Sequence, residues 1–198
     1  MQKIEQNAIP TEIFVGNILG ALTRGISDKM DDAITIATGQ STSACYAIVQ
    51  IGTEPDSSIE ELRRMLALEH SSVVRLIDRL EKHHLVERLR DLGTDRRQVR
   101  IRLTVKGEEH FTKILDARSA VLAKVMGQLD DGEKTQLRGL IEKMMPAAVD
   151  PGDDQHVICR LCELEVCPQD ICPVNHAHEG HVDDVAEGFR RKVDSRFS

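Results

Sequence analysis

The strongest constraint in this chain of 198 residues is a change of apolar period between His70 and Leu103. Val73, Leu76, Ile77 and Leu80 stand at i, i+3, i+4 and i+7, which puts them on one face of a helix expected from about His70 to His83. From Leu85 onward the period becomes 2. Leu85-Val86-Glu87-Arg88-Leu89 reads as one strand and Val99-Arg100-Ile101-Arg102-Leu103 as another, with the turn-rich Asp91-Leu92-Gly93-Thr94-Asp95 between them. Upstream, Ser57 or Ser58 caps a short helix that carries Glu60 and Glu61 in its first turn and Leu62, Met65 and Leu66 as its apolar stripe. A tight turn at Leu68-Glu69 joins the two helices. The expected order is therefore a helix-turn-helix over 58–107 with a two-stranded β-wing.

Helices are expected on both sides of this lobe. Ile13, Phe14, Ile18, Leu19, Leu22 and Ile26 recur at helical spacing between Thr11 and about Ile36. Gly16, Gly20 and Gly25 weaken that helix in isolation and make sense if another helix packs closely against it. A second helix is expected from about Ser43 to Ile51, ended by Gly52 and the turn Glu54-Pro55-Asp56. Thr104 caps a long helix to about Met126. Leu129-Asp130-Asp131 starts a last amphipathic one with Leu137, Leu140, Ile141 and Met144 on one face. Aromatic residues are only 3% of the chain, so its core must be aliphatic, as suits helix packed on helix. The fold class expected is mainly α. It comprises a winged-helix domain over 1–147, a linker from Ala147 to Asp154, and a small metal-stabilised module at about 156–181 within 148–198.

The net charge of −7 at first argues against a nucleic-acid partner, but its distribution reverses the argument. Between Ser58 and Gly107 there are 12 Lys and Arg against 8 Asp and Glu, leaving 14 basic and 25 acidic residues elsewhere. A basic island in an acidic chain is the footprint of a localised DNA-contacting face. A helix of this length fits the major groove and meets base edges with its N-terminal turn. The candidates there are His70, Ser71, Ser72, Val74 and Arg75. Arg75 has the fork for a bidentate guanine contact and Val74 the methyls to pack on thymine, while Arg79, with Ser71 and Ser72, suits phosphates. Arg96 and Arg97 form a basic wing tip for backbone or minor groove. No Gly-rich phosphate loop, nucleophile elbow or HExxH pair occurs, so an enzyme is not expected. Neither an eighteen-residue apolar run nor an apolar N-terminal stretch is present, so the expectation is a cytoplasmic protein without membrane partners.

The blocks Val73-Val74-Arg75-Leu76-Ile77-Asp78-Arg79-Leu80-Glu81, Leu85-Val86-Glu87-Arg88, Asp95-Arg96-Arg97 and Leu103-Thr104-Val105-Lys106-Gly107 resemble the MarR family of bacterial regulators. The resemblance spans roughly Thr11 to Met145 and leaves out the cysteine-rich end. It implies that Asp95 orients a wing arginine. It also implies that the N- and C-terminal helices form a homodimer, whose two-fold symmetry calls for a palindromic operator with half-sites about 10 bp apart. His83-His84 departs from the glycine usual at this helix end, so a histidine must adopt or avoid a left-handed conformation there.

Four of the five cysteines, Cys159, Cys162, Cys167 and Cys172, fall within fourteen residues. In a reducing compartment such a cluster points to metal. A closed tetrahedral zinc site wants four soft ligands, and C-x2-C supplies half of one. A [4Fe–4S] cluster is the alternative, with disulfides or free redox-active thiols after it. His156, His176, His178 and His181 flank the run and can each replace a ligand. The module has too few apolar residues to fold by burial alone, and metal binding supplies the missing free energy. Cys45 reads as a small buried apolar residue.

The function expected is that of a homodimeric repressor, or in some cases an activator, that binds double-stranded DNA. A small-molecule effector, a redox change or a metal would release it. The cluster lies far along the sequence from the reading helix and offers no direct mechanism. The competing reading is a winged-helix protein-interaction adaptor with a structural zinc knuckle, which the basic wing (Arg88, Arg90, Arg96, Arg97, Arg100, Arg102) disfavours.

Overall fold

The computed structural model describes residues 10–90, 99–150, 155–163, 166–167 and 169–177. In chain order the elements are α1 (Thr11–Thr38), α2 (Thr42–Thr53), β1 (Ser57–Ser58), α3 (Ile59–Met65), α4 (His70–Lys82), β2 (Val86–Arg90), β3 (Val99–Leu103), α5 (Val105–Met126), α6 (Asp131–Met144) and α7 (Gln155–Ile158). Helical 3-10 turns follow at Met145–Ala148 and Gln169–Ile171. Among the described residues no helix is long and apolar enough to cross a membrane.

Three helix starts are fixed by their caps. Ser58 accepts the Glu61 N–H while the Glu61 carboxylate accepts the Ser58 N–H, a reciprocal capping box at α3. Asp130 and Glu133 repeat it at α6, and Thr104 accepts the Gly107 N–H at α5. At the end of α4, His84 takes φ 58°, the left-handed conformation that glycine usually provides. Leu85 N–H then reaches Leu80 O at 2.9 Å and His84 N–H reaches Glu81 O at 2.9 Å, which satisfies the helix's last carbonyls.

The sheet has three strands in the order β1-β3-β2, all antiparallel. The hairpin register pairs Val86 with Leu103 and Arg88 with Ile101. The third strand, Ser57–Ser58, is too short to carry a period and was not expected from sequence. Inward-facing Val86, Ile101 and Leu103 close over the stripe Val73, Leu76, Ile77 and Leu80 of α4, and Leu62, Ile48, Ile51 and Ile114 complete one aliphatic core.

Gly52 does not end the second helix, which continues to Thr53. A β-carbon at Gly52 would stand 2.5 Å from the Phe111 ring, so the glycine lets α2 approach α5 closely. Gly16, Gly20 and Gly25, by contrast, have nothing within 4 Å of a built β-carbon. The first half of α1 and the C-terminal half of α6 project large apolar side chains into solvent, among them Phe14 (57% exposed), Ile18, Leu22, Leu140 and Met144.

Beyond α6 the chain returns to this body. Val149, inside the composition-defined linker, is 2% exposed and packs with Cys172, Val174 and Ala177. Leu161, 8% exposed, joins the main core, and α7 lies against α3.

Candidate nucleic-acid interface

On α4, the face opposite the core stripe carries the residues singled out from sequence. His70, Ser71, Ser72, Arg75 and Arg79 are exposed and Val74 is half-buried. Their common exposure follows from the 3.6 period: with Val73, Leu76, Ile77 and Leu80 locked inward, these positions must face out. Among the described residues, neither Arg75 nor Arg79 has an ion-pair or hydrogen-bond partner in the chain, so both guanidinium forks are open for an external anion or base edge. Asp95, Arg96 and Arg97 lie outside the described residues.

The stem of the wing is less basic than its sequence. Arg88 bridges Asp78 at 2.6 Å and also pairs with Glu81. Arg102 makes a forked contact to Asp56 at 2.9 and 2.6 Å. Arg100 reaches the Asp56 carbonyl at 3.2 Å and Glu61 at 3.6 Å. The Arg102 guanidinium holds the Asp56 carboxyl below the ordinary carboxylate range. These three arginines, counted from sequence as wing charge, tie the hairpin to α4 and to the start of α3. Arg75 and Arg79 of α4, by contrast, keep their charge free.

The four clustered cysteines come together at a different place. Cys159, Cys162, Cys167 and Cys172 line one cavity of about 40 Å³, whose other wall is Gln50, Thr53 and Glu54 of α2 and its end, with His156 and Asn175. They are free thiols. Hydrogen bonding from Cys159, helped by the charge of Arg118 and opposed by burial, lowers Cys162 to about 6, while Cys159 is raised in return. Burial, then the bond to Cys172, pushes Cys167 up to about 11. Among the described residues no three His, Cys, Asp or Glu side chains already stand in a metal-holding arrangement. His156 Nε2 is instead 3.5 Å from Glu54 Oε1, and His176 Nε2 lies 2.9 Å from the Asp170 carbonyl oxygen. His178 and His181 lie outside the described residues.

The cluster is docked on the helical body by contacts invisible in sequence. Arg160 stacks over Tyr46 at 4.8 Å from the ring centroid, and the Tyr46 hydroxyl donates to Asp31 Oδ1 at 2.5 Å. Burial and that aspartate raise the Tyr46 pKa. Beside them lies a second cavity, about 280 Å³, between α1, α2, α5 and the segment 157–162. Cys45 is fully buried, near the Thr38 hydroxyl at 3.3 Å, and burial pushes its thiol up. Gln50 was missed in the sequence, although a lone amide within Ala47-Ile48-Val49-Gln50-Ile51 is a visible anomaly. Its side chain is buried and its Oε1 has no hydrogen-bond partner among the described residues.

Comparison with known proteins points the same way as the lobe. A model of the MarR family matches residues 38–98. The chain is 30% identical over 106 residues to the HTH-type transcriptional regulator BilQ of Clostridium symbiosum, covering 54% of this chain and 73% of that protein. It is 25% identical over 130 residues to the HTH-type transcriptional repressor MdtR of Bacillus subtilis, covering 66% of this chain and 83% of that protein. The solved structure of a MarR family protein from Bacillus stearothermophilus superposes with a TM-score of 0.59 at 25% identity, over 69% of this chain and 96% of its own.

Proposed function

Because this chain belongs to the MarR family of transcription regulators, we propose that it is a homodimeric repressor, working in the cytoplasm, whose α4 helices enter successive major grooves of a palindromic operator. As a transcription regulator it is not an enzyme. The observation that carries the reading is the split of α4 into an apolar face sealed in the core and an exposed face with two unpaired arginines. Arg75 reads a base edge through a bidentate contact, and Arg79, Ser71 and Ser72 hold phosphates. Arg96 and Arg97, one of them oriented by Asp95, extend the contact from the wing. Because Arg88, Arg100 and Arg102 are already paired within the chain, base selection rests on α4.

The dimer forms through the exposed stripe of α1 and α6. A second copy of the chain buries Phe14, Ile18, Leu22, Leu140 and Met144, and the bare Gly16 and Gly20 let the partner's backbone come close. The releasing signal, whether small molecule, redox change or metal, acts at the junction of α1, α2, α5 and the C-terminal segment. That junction holds the cavity of about 280 Å³, and its helix α7 touches α3, the first helix of the DNA-reading pair.

Salt-dependent binding to duplex from the protein's own promoter region tests the reading. Titration by fluorescence anisotropy at low salt is expected to show specific binding that Arg75→Ala weakens and de-specifies. Failure to bind any fragment of that region at low salt refutes it.

A further inference from the structure

We propose that Cys159, Cys162, Cys167 and Cys172 together bind one divalent ion of the zinc class, in the cavity they share with the C-terminal turn of α2. Four soft thiolates close a tetrahedral shell around such an ion, and the C-x2-C step is a common half of it.

The cavity fits an ion. At about 40 Å³, with all four cysteines on its wall, it is far below the size of an organic effector site. All four thiols line this one cavity without already forming a shell, so ion binding is what draws them together. Each thiol loses its proton to solvent as the metal–sulfur bond forms, and no oxidant is required.

Gln50 is the independent sign of a ligand. It is 3% exposed, lines the same cavity, and leaves a buried polar atom unsatisfied. Such an atom calls for an explanation by ion or water. Half a rotation of the amide exchanges its oxygen and nitrogen ends, and the NH₂ donates to a thiolate sulfur. Outer-shell donors of this kind orient and tune metal ligands.

The segment also needs a staple. Its described buried apolar groups are Leu161, Cys172, Val174 and Ala177, and Leu161 is spent on the main core. Disulfides between sequence neighbours, Cys159 with Cys162 and Cys167 with Cys172, would close only short loops and constrain the unfolded chain little. One ion joining both pairs ties the whole run from Cys159 to Cys172 into a single unit beside α2 and α3.

Full-length protein, expressed with zinc supplementation and purified under reducing conditions, tests this by metal analysis and thiol alkylation. One zinc per chain is expected, with the cluster thiols alkylated only after a chelator removes it. Cobalt exchange is expected to give the absorption of a tetrahedral tetrathiolate. Cys172→Ser should abolish stoichiometric binding, and Gln50→Leu should weaken it roughly 10–100-fold, while Cys45→Ala keeps full occupancy. Substoichiometric zinc in the wild-type chain, an iron chromophore in its place, or two disulfides by mass spectrometry each overturn the proposal. Metal content is read without DNA, so this outcome is independent of operator binding.

Discussion

Gly107 rests its α-carbon against the carbonyl oxygen of Leu85, where an added β-carbon would stand 2.0 Å away. The same corner is tied by the Thr104 hydroxyl donating to His84 O at 2.6 Å and by Lys106 Nζ donating to His83 O at 3.0 Å. The end of α4 and the start of α5 are therefore one rigid joint. Gly107→Ala has no flexible neighbour to displace and is expected to cost about 1–3 kcal/mol or more. Urea unfolding measures it, and a loss below a few tenths would show that the joint yields.

Arg75 and Arg102 should respond oppositely to truncation. Arg75→Ala removes an open fork and is expected to cost about 1–3 kcal/mol in discrimination between operator and a single-base variant. Arg102 is committed to Asp56, so Arg102→Ala should leave that discrimination unchanged. Paired anisotropy titrations on both duplexes decide it.

The capping box of α3 predicts both a mutational cost and a pH dependence. Ser58→Ala should destabilise the fold by about 1 kcal/mol. The Ser58 backbone N–H, then its hydroxyl, holds the Glu61 carboxyl below the usual carboxylate range. A depressed folded pKa gives stability that is complete above the ordinary glutamate value near 4.3 and is lost as pH falls through the lowered one. Thermal melts of wild type and Glu61→Gln from pH 7 downward should converge at the acid end.

A charge on the exposed stripe should separate the proposed protomers. Phe14 and Leu19 are both exposed on α1, so the chain carrying Phe14→Glu or Leu19→Glu should keep its helicity yet sediment as a monomer. A charged variant that still sediments as a dimer removes α1 from the interface.

Leu161 couples the C-terminal segment to the core. Leu161→Ala is expected to cost about 2–5 kcal/mol if the site cannot collapse. Hydrogen exchange at 155–163 should rise well before exchange in α4 changes. Equal rises in both would mean that the segment and the lobe unfold as one unit.

Most of the lobe was legible because its helices and hairpin each repeat a physical period or a cap, whereas the two-residue strand Ser57–Ser58 carries no period. Val73, Leu76, Ile77 and Leu80, the alternating hairpin and Thr104 declare their roles locally. What sequence could not give is pairing at long range. Nothing near Arg102 reveals that Asp56, 46 positions earlier, takes its charge, and nothing near Arg160 names Tyr46. Gly52 misled because a glycine after an apolar run reads as a stop, whereas here it answers Phe111 from another helix. Val149 was hidden among linker residues whose composition outweighs one buried side chain. The gathering of the four thiols was implied by spacing, but their seat beside Gln50 was not.

The bare apolar stripe of α1 has a consequence for how the regulator counts itself. If only a second copy covers Phe14, Ile18 and Leu22, a chain newly made and still alone carries sticky surface and no two-fold match to an operator. Well below the dissociation constant of the pair, the amount of reading-competent species then rises with the square of chain concentration. Modest changes in synthesis or turnover would be amplified at the promoter before any signal arrives, and abundance becomes an input alongside the effector.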